Sequence, residues 1–314
     1  MNSSREKRLT AFIREKASEL GFDLLGIAPV RKLEEHEPVL RKWCSAGMNG
    51  ELAYLGRDLE KRIDPSLLFH GAKSVIVTGL NYYTGKKQGG NGVPVISRYA
   101  YGTDYHDVII KRLGHILDLI RSIEPLADGK AFVDSAPLLE KAWAREAGLG
   151  WPGRHSVLIN RKIGSFFFIG VILVNIKLEY DEPFVDDLCG ECRFCIESCP
   201  TGAINENRTI DVRRCVAYLT IEYSGPVPDE LAGKMDGRVY GCDKCQEVCP
   251  WNKNAKPHNI PEFNLSSELE NMTREEWLSL TPDRFNELFR KSSARRAKYE
   301  GMMRKIEIVL KNRS

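Results

Sequence analysis

Two hydrophobic periodicities alternate along the first 180 residues of the chain. Apolar side chains recur every three or four positions, as on one face of a helix, in the segments 9–20, 104–123 and 138–147. Short and nearly continuous apolar runs, which are typical of buried strands, occupy the segments 23–30, 74–80, 131–133 and 166–174. The Gly- and Lys-rich segment 85–92 predicts a mobile loop. We therefore expect residues 1–180 to form an α/β domain with a sheet at its centre.

The pattern changes at Tyr180-Asp181-Glu182-Pro183. From there to residue 263 the chain is rich in Cys, Gly and Pro and has few long periodic runs, so we expect bound cofactors to supply the core of residues 181–263. Helical periodicity returns in residues 264–314. Thr273 and Glu276 predict a capping box, and a last helix is expected over about 294–310.

Composition changes this picture mainly at the C-terminus. The 314 residues carry a net charge of +3, but residues 290–314 hold nine Lys or Arg and two Glu, so this segment is +7 and the remainder is −4. A basic segment on an acidic body predicts an anionic macromolecular partner.

The order of residues in this segment suggests a basic face followed by an apolar face. If the last helix extends back to Lys291, then Lys291, Arg295 and Lys298 share one face, with Arg296 beside it. Apolar positions with the same spacing can dock on the protein: Met302, Ile306 and Val309. Gly301 is a candidate break between the two parts.

The sequence contains no pattern for export or membrane insertion. The N-terminus is charged and amphipathic and lacks the apolar core of a signal peptide, and the longest apolar run, 166–174, is far too short to span a membrane. We therefore expect a cytoplasmic location, where thiols stay reduced. The nine cysteines are then better explained by metal than by disulfides.

Eight of the nine cysteines fall between positions 189 and 249. The first four form C-x2-C-x2-C-x3-C-P, the bacterial ferredoxin run, whose fourth cysteine ligates the other of two clusters. The second set lacks a cysteine at position 239, where Val239 stands, and Cys215 is the only candidate to replace it. The count predicts two [4Fe–4S] clusters. One has the ligands Cys189, Cys192, Cys195 and Cys249, and the other has Cys199, Cys215, Cys242 and Cys245.

Zinc and disulfides are the alternatives for these cysteines. Zinc favours paired C-x2-C knuckles and has no use for the third cysteine of the run, and a reducing compartment disfavours disulfides. The ninth cysteine, Cys44, has no partner motif and is expected to be a free thiol. Because two clusters only transfer electrons, another part of the chain must hold the substrate.

Three further motifs concern the first domain. Residues 148–153 match G-x-G-x-x-G but follow a helix and include a proline, so they predict a rigid loop rather than a dinucleotide site. Asp104 and His106 match part of a cobalt-binding D-x-H-x-x-G motif whose glycine is missing, and a helix N-cap at Asp104 is the alternative. Asp134 follows a short strand, where α/β folds bind ligands, but it is equally suited to cap the next helix.

Taken together, these residues resemble the epoxyqueuosine reductase family over about residues 10–300. The similarity is carried by 60–62, 98–106, 133–137, 145–150, 189–200, 214–222 and 240–250. The resemblance implies a fold of the α+β class: an N-terminal α/β cobalamin-binding domain, a ferredoxin-like two-cluster domain and a short basic helical C-terminus. It also implies a reaction, in which cobalamin reduced through the two clusters converts the epoxide of epoxyqueuosine, at the tRNA wobble position, to the alkene of queuosine.

The resemblance implies roles for individual residues. Asp134 corresponds to the family's proton donor. Cobalamin contacts are implied at Arg62, Ser97, Asp134, Leu158, Ile169 and Asp243. Contacts with tRNA are implied at Lys291, Arg295 and Arg296, for which a solvated helix face is the alternative. The electron donor is expected to be a reduced ferredoxin or flavodoxin. Many family members continue into a C-terminal helical-repeat domain, whereas this sequence ends at Ser314, so we expect a smaller tRNA footprint.

Two other classes of protein remain open on the sequence alone. A cobalamin- and iron–sulfur-dependent reductive dehalogenase has the same cofactor modules but is usually exported, and no twin-arginine signal is present here. A non-catalytic electron-transfer ferredoxin with an accessory domain would leave the first 180 residues unexplained.

Overall fold

The structure, a computed structural model, describes residues 2–88 and 92–311. The predicted mobile loop at 85–92 therefore lies partly outside the described residues. Its described part includes Gln88, which is buried and accepts a hydrogen bond from the Ile96 N–H at 3.0 Å.

Strands and helices occur where the periodicity predicts them in the first 180 residues. The strands of the described chain are β1 (Leu24–Pro29), β2 (Ser74–Asn81), β3 (Val95–Ile96), β4 (Gly129–Phe132), β5 (Trp151–Pro152), β6 (Leu158–Ile159), β7 (Phe167–Val174) and β8 (Arg238–Tyr240). The helices up to residue 180 are α1 (Asn2–Glu19), α2 (Glu37–Ser45), α3 (Leu59–Ile63), α4 (Tyr105–Ile123) and α5 (Glu140–Glu146). Those that follow are α6 (Phe194–Glu197), α7 (Val216–Ile221), α8 (Asp229–Ala232), α9 (Lys244–Glu247), α10 (Ser267–Asn271), α11 (Arg274–Leu278), α12 (Pro282–Leu288) and α13 (Lys298–Lys311).

A four-stranded antiparallel sheet forms the centre of this first part, in the order β1-β2-β7-β4. Every residue of β2 is buried, because helices cover both faces of the sheet. Ile76 and Ile172 pack on the face covered by α1 and α4, and Val77 and Val171 pack on the face covered by α5, around Trp143. Burial on both faces explains why these strands read as continuous apolar runs.

Two predicted caps are confirmed. The Asp104 side chain accepts the His106 N–H at 3.1 Å at the start of α4. Thr273 and Glu276 form the capping box of α11. The first residues of the G-x-G-x-x-G match, 148–150, form a loop, and its last residues, 151–153, contain β5 of the short β5–β6 hairpin. Gly150 is required there, because a Cβ at this position would lie 1.9 Å from the Ile159 carbonyl oxygen.

The cysteine-containing part is organised around two short helices, α6 and α9, that pack against each other. Our expectation that cofactors supply its core is wrong in part, since a large side-chain core joins it to the C-terminal helices. Leu219 and Tyr240 pack in that core against Trp277, which lies in α11, and against Phe289, which directly follows α12. The division of the chain at residues 180 and 263 stays a prediction.

The last helix is shorter than predicted. It begins at Lys298, whose φ is 55°, and a 3-10 turn precedes it at Ser293–Ala297. Ser292 caps that turn by accepting the Ala294 N–H, a local bond of the kind that competes with a continuing helix. Its hydroxyl also donates to the distant Ala100 carbonyl at 2.6 Å. The predicted common helical face of Lys291, Arg295 and Lys298 is therefore wrong. Gly301 does not interrupt α13, and the predicted docking of its apolar positions is confirmed by the burial of Met302, Ile306 and Val309.

We searched the described helices for a membrane span, and none is long and apolar enough to cross a bilayer.

Candidate cluster sites and active-site cleft

Four of the cysteines surround one cavity of about 260 Å³: Cys189, Cys192, Cys195 and Cys249. A tight turn, in which the Cys192 N–H donates to the Cys189 carbonyl at 2.9 Å, holds the first two. Cys195 lies in α6, and Cys249 follows α9. These are the same four cysteines that the sequence spacing assigns to one cluster.

The thiols of this group lie close enough to affect one another's ionisation. Burial, together with neighbouring Cys189 and Cys195, raises the pKa of the Cys249 thiol to about 11. Burial, Cys189 and Cys192 likewise raise the pKa of Cys195. Because a bound metal deprotonates its thiol ligands, iron would reverse the pKa shifts of Cys195 and Cys249.

The other four cysteines also influence one another. Burial raises the pKa of Cys245, and Cys242 and Cys215 add to this effect. Burial raises the pKa of Cys242 to about 12, partly opposed by the Arg238 guanidinium. Burial raises the pKa of Cys215, and Cys199 adds to this effect. Cys199 itself accepts the Ala203 N–H at 3.3 Å. No group of three or more Cys, His, Asp or Glu side chains in residues 2–88 and 92–311 is arranged to hold a single metal ion.

A buried ion-pair network lies beside this second group. The Asp243 carboxylate accepts the Arg98 backbone N–H at 2.9 Å and lies 3.3 Å from the Arg98 guanidinium, which also pairs with Glu247 at 2.8 Å. Ser97 is buried, and its hydroxyl has no partner in the described structure. Ser97 and Asp243, two of the residues implied as cobalamin contacts, line a cavity of about 220 Å³ here.

Arg62 and Asp134 line a different and larger cavity, an open cleft of about 600 Å³. Its walls come from α2, from the segment that leads into α5, from the β5–β6 turn and from residues 207–210 of the cysteine-containing part. Most of the lining is apolar: Val39, Leu40, Trp43, Leu55, Leu138 and Leu139. Leu158 and Ile169, the other implied cobalamin contacts, lie in β6 and β7 and are not among the lining residues.

Asp134 is held in this cleft by two hydrogen bonds. The Tyr105 hydroxyl donates to Asp134 Oδ2 at 2.6 Å, and the Asp134 N–H donates to Glu140 Oε1 at 2.6 Å. Asp134 has a φ of 51°, an uncommon conformation for a residue other than glycine and one that often marks a functional site. The capping alternative is wrong, because α5 is preceded by Leu139 and has no side-chain cap.

Glu140 is a functional candidate that the sequence did not reveal. Its carboxyl group is buried, although the residue as a whole is partly exposed, and burial together with the Asp134 charge raises its pKa to about 8. Burial and the same Asp134 charge raise the pKa of Tyr105, so the phenol stays a hydrogen-bond donor. An acid in the first turn of a helix is ordinarily a partner of the helix dipole, so the sequence carried no signal for this role.

The start of α4 connects this site to the basic C-terminal segment. Asp104 Oδ1 lies 2.6 Å from His106 Nδ1, and the Arg296 guanidinium lies 3.1 Å from the same nitrogen and 3.4 Å from Asp104 Oδ2. Arg296 is thus engaged within the protein. Lys291 and Arg295 are exposed, and with Arg290 they line a cavity of about 660 Å³ opposite Asp107 and Glu262.

A helix-covered sheet, an eight-cysteine region and an acid-containing cleft between them define a two-cluster iron–sulfur oxidoreductase. Residues 62–135 match the family described as "Epoxyqueuosine reductase QueG, DUF1730", and residues 188–252 match the "4Fe-4S double cluster binding domain". The epoxyqueuosine reductase of Cellulophaga algicola is 45% identical, over 98% of this chain and 99% of that protein. The chain therefore belongs to the epoxyqueuosine reductase family.

Solved structures agree with this assignment. An epoxyqueuosine reductase bound to an epoxyqueuosine-modified tRNA-Tyr stem loop is 30% identical, with a TM-score of 0.89 over 96% of this chain and 81% of that one. The Bacillus subtilis enzyme, with its aspartate catalytic loop swung out of the active site, is 28% identical, with a TM-score of 0.88 over 96% of this chain and 81% of that one.

The alternative classes are less similar. A reductive dehalogenase is 17% identical, with a TM-score of 0.52 over 80% of this chain and 33% of that one, which shows a related fold alone. Membership of the epoxyqueuosine reductase family decides against this class and against a non-catalytic electron carrier.

Proposed function

We propose that this protein reduces epoxyqueuosine in tRNA to queuosine and releases the epoxide oxygen as water. The conversion consumes two electrons and two protons, so the enzyme must bring both to one place. One observation carries the proposal: a single turn separates the cleft from a cysteine cavity. Gly153 and Ser156 of the β5–β6 turn line the cleft, while Arg154 and His155 of the same turn line the cavity of the first four cysteines.

The cleft has features that suit cobalamin. Its apolar lining matches the faces of a corrin ring, and Arg62 Nε is buried without a partner, which leaves a donor for one of the polar groups at the rim of the corrin. Cobalamin, when bound, supplies a reduced cobalt as the electron donor to the substrate. Arg62 and Asp134 would hold it. The contacts implied at Ser97, Leu158, Ile169 and Asp243 have no such support from the cleft and stay predictions.

Asp134 is the proposed proton donor to the departing epoxide oxygen. It is exposed in the cleft, so it can reach a bound substrate, and the Tyr105 hydroxyl fixes the orientation of its carboxyl group. Glu140, whose raised pKa keeps it largely protonated at neutral pH, accepts the backbone N–H of Asp134 and so fixes the position of that residue. A positioned proton donor of this kind is worth about 10²- to 10⁴-fold in rate.

The basic segment is the proposed tRNA contact. Lys291 and Arg295 are exposed and can bind backbone phosphates, which position a nucleic acid without reading its sequence. Arg296 contributes less to binding in this proposal, since it already pairs with Asp104 and His106. A reduced ferredoxin or flavodoxin as the electron donor, and a cytoplasmic location, also stay predictions.

The direct test is anaerobic incubation of the iron-loaded protein with epoxyqueuosine-modified tRNA, cobalamin and a reductant. Mass spectrometry of the digested nucleosides should show conversion of epoxyqueuosine to queuosine that requires all three additions. Unchanged epoxyqueuosine with fully loaded enzyme would contradict the proposal.

A further inference from the structure

The β5–β6 turn contains a buried histidine for which the proposed reaction has no use. His155 is 4% exposed and lines the cavity surrounded by the first four cysteines. Its Nε2 atom has no hydrogen-bond partner among the described residues. Because a buried polar nitrogen is costly when unsatisfied, this atom is expected to find its partner inside that cavity.

The other ring nitrogen determines what kind of partner Nε2 needs. The Val157 N–H donates to His155 Nδ1 at 3.2 Å, so Nδ1 is an acceptor and carries no proton. In the neutral ring the proton is then on Nε2. Nε2 is therefore a donor that needs an acceptor, and His155 lines the same cavity as the four cysteines.

The local backbone fixes the ring in this position. The Gly153 N–H donates to the Val157 carbonyl at 2.9 Å, and the Ser156 N–H donates to the Gly153 carbonyl at 2.9 Å, which closes the turn around His155. A Cβ at Gly153 would lie 2.8 Å from His155 Cε1 and 3.1 Å from Nδ1, so glycine leaves the space that the ring occupies. Arg154 holds the turn against the cluster loop by donating to the Gly190 carbonyl at 2.7 Å.

We propose that His155 Nε2–H donates a hydrogen bond to a sulfur atom of the [4Fe–4S] cluster bound by Cys189, Cys192, Cys195 and Cys249, and thereby raises the reduction potential of that cluster. Reduction adds one negative charge to the cluster and makes its sulfur atoms stronger acceptors, so a fixed donor favours the reduced state. The inference rests on the cluster assignment proposed above. It gives the cluster beside the β5–β6 turn a protein group that sets its potential.

The test is an anaerobic redox titration of the holoenzyme, followed by EPR, with His155→Leu and His155→Gln beside the wild type. Leucine removes the donor, and glutamine restores an N–H. At a fixed potential near the midpoint, His155→Leu should lower the ratio of reduced to oxidised first cluster about tenfold, which corresponds to about 59 mV for a one-electron couple. His155→Gln should recover part of this loss, and the second cluster should titrate as in the wild type.

His258 provides a matched control. Its Nδ1 also accepts a backbone N–H from two residues further on, that of Ile260, at 3.2 Å, but the ring packs near Phe263 and does not line the cavity of the first four cysteines. His258→Leu should leave both potentials unchanged. A wild-type potential for the first cluster in His155→Leu, at full iron content, would overturn the inference.

A measurement on the wild type keeps the inference testable if His155→Leu loses iron. Pulsed EPR of the reduced holoenzyme, labelled with ¹⁵N-histidine, should show one histidine nitrogen weakly coupled to a cluster. Absence of this coupling would overturn the role of His155. Fewer than about eight irons in the wild-type protein would instead contradict the cluster assignment, so the two failures are distinguishable.

Discussion

The part of the molecule built on the central sheet and the part that contains the eight cysteines have different interiors. Apolar side chains bury both faces of β2 and β7. Around Cys199, Cys215, Cys242 and Cys245 the interior instead contains charged side chains, since Arg98, Arg238 and Asp243 are all buried. The first part supplies the acids of the cleft, and the second supplies the thiols. In the proposed mechanism, protons and electrons are handled by separate parts of the chain that meet at the β5–β6 turn, so a substitution in one part should leave the other part intact.

The strongest test of this separation removes a thiol. Cys215→Ala should lose one of the two clusters, or degrade it to a three-iron form, and with it the reductase activity. The first cluster should persist because its four cysteines occupy a separate cavity. Iron analysis and EPR of the reduced protein measure the outcome. Cys44→Ala is the control and should keep about eight irons per chain. An undisturbed Cys215→Ala protein would remove this residue from the ligand set.

The second test removes the acid. Asp134→Asn should keep both clusters and cobalamin binding but lower turnover about 10²-fold or more, because the amide still accepts the Tyr105 hydroxyl but cannot donate an acidic proton. Single-turnover assays measure it, with the exposed Asp229→Asn as a charge-matched control. Loss of cobalamin binding would give Asp134 a structural role instead, and wild-type turnover would exclude it from the mechanism.

The sequence predicted the strands, the helices and the grouping of the cysteines better than it predicted the side-chain contacts of the candidate site. Buried strands and amphipathic helices leave periodic patterns, so β2, β7 and α4 were predicted to within a few residues. Ligand spacing likewise grouped the cysteines that line one cavity. The Glu140–Asp134 contact depends on the conformation of the short segment that joins them, and the burial of His155 beside the cysteines depends on how distant segments pack; no periodic pattern records either. The error at Lys291 arose because Ser292 ends the helical register through a contact with Ala100, nearly 200 residues away in sequence.

Glu140 allows a smaller test, on stability. Its pKa is raised to about 8, above that of an unfolded glutamate, so the folded protein binds a proton that the unfolded chain releases. The stability that depends on this proton is fully present below pH 4.5 or so and is lost as the pH rises through about 8. Glu140→Gln, which keeps the acceptor for the Asp134 N–H, should flatten this dependence and stabilise the protein above pH 8 by on the order of 1 kcal/mol. Thermal melts between pH 5 and 9 measure the effect, and parallel wild-type and variant curves would contradict it.

The smallest effect is expected at the basic segment, where the structure changes the experiment that the sequence suggested. Lys291 and Arg295 are exposed, whereas Arg296 is already paired with Asp104 and His106. Lys291→Ala with Arg295→Ala should therefore weaken tRNA binding several-fold and lower its salt slope by about two, one for each phosphate that the variant no longer neutralises.

Arg296→Ala alone helps to decide whether the basic segment is a tRNA contact or a solvated surface. We expect it to change the salt slope less than either Lys291→Ala or Arg295→Ala, because its charge is partly neutralised before tRNA binds. Lys177→Ala with Lys234→Ala, two exposed lysines elsewhere, controls for net charge, and cluster content should not change in any of these proteins. Filter-binding titrations at several salt concentrations measure affinity and slope together. If the Lys291 and Arg295 double variant binds tRNA with the slope of the control, the segment is a solvated surface and the nucleic acid docks elsewhere.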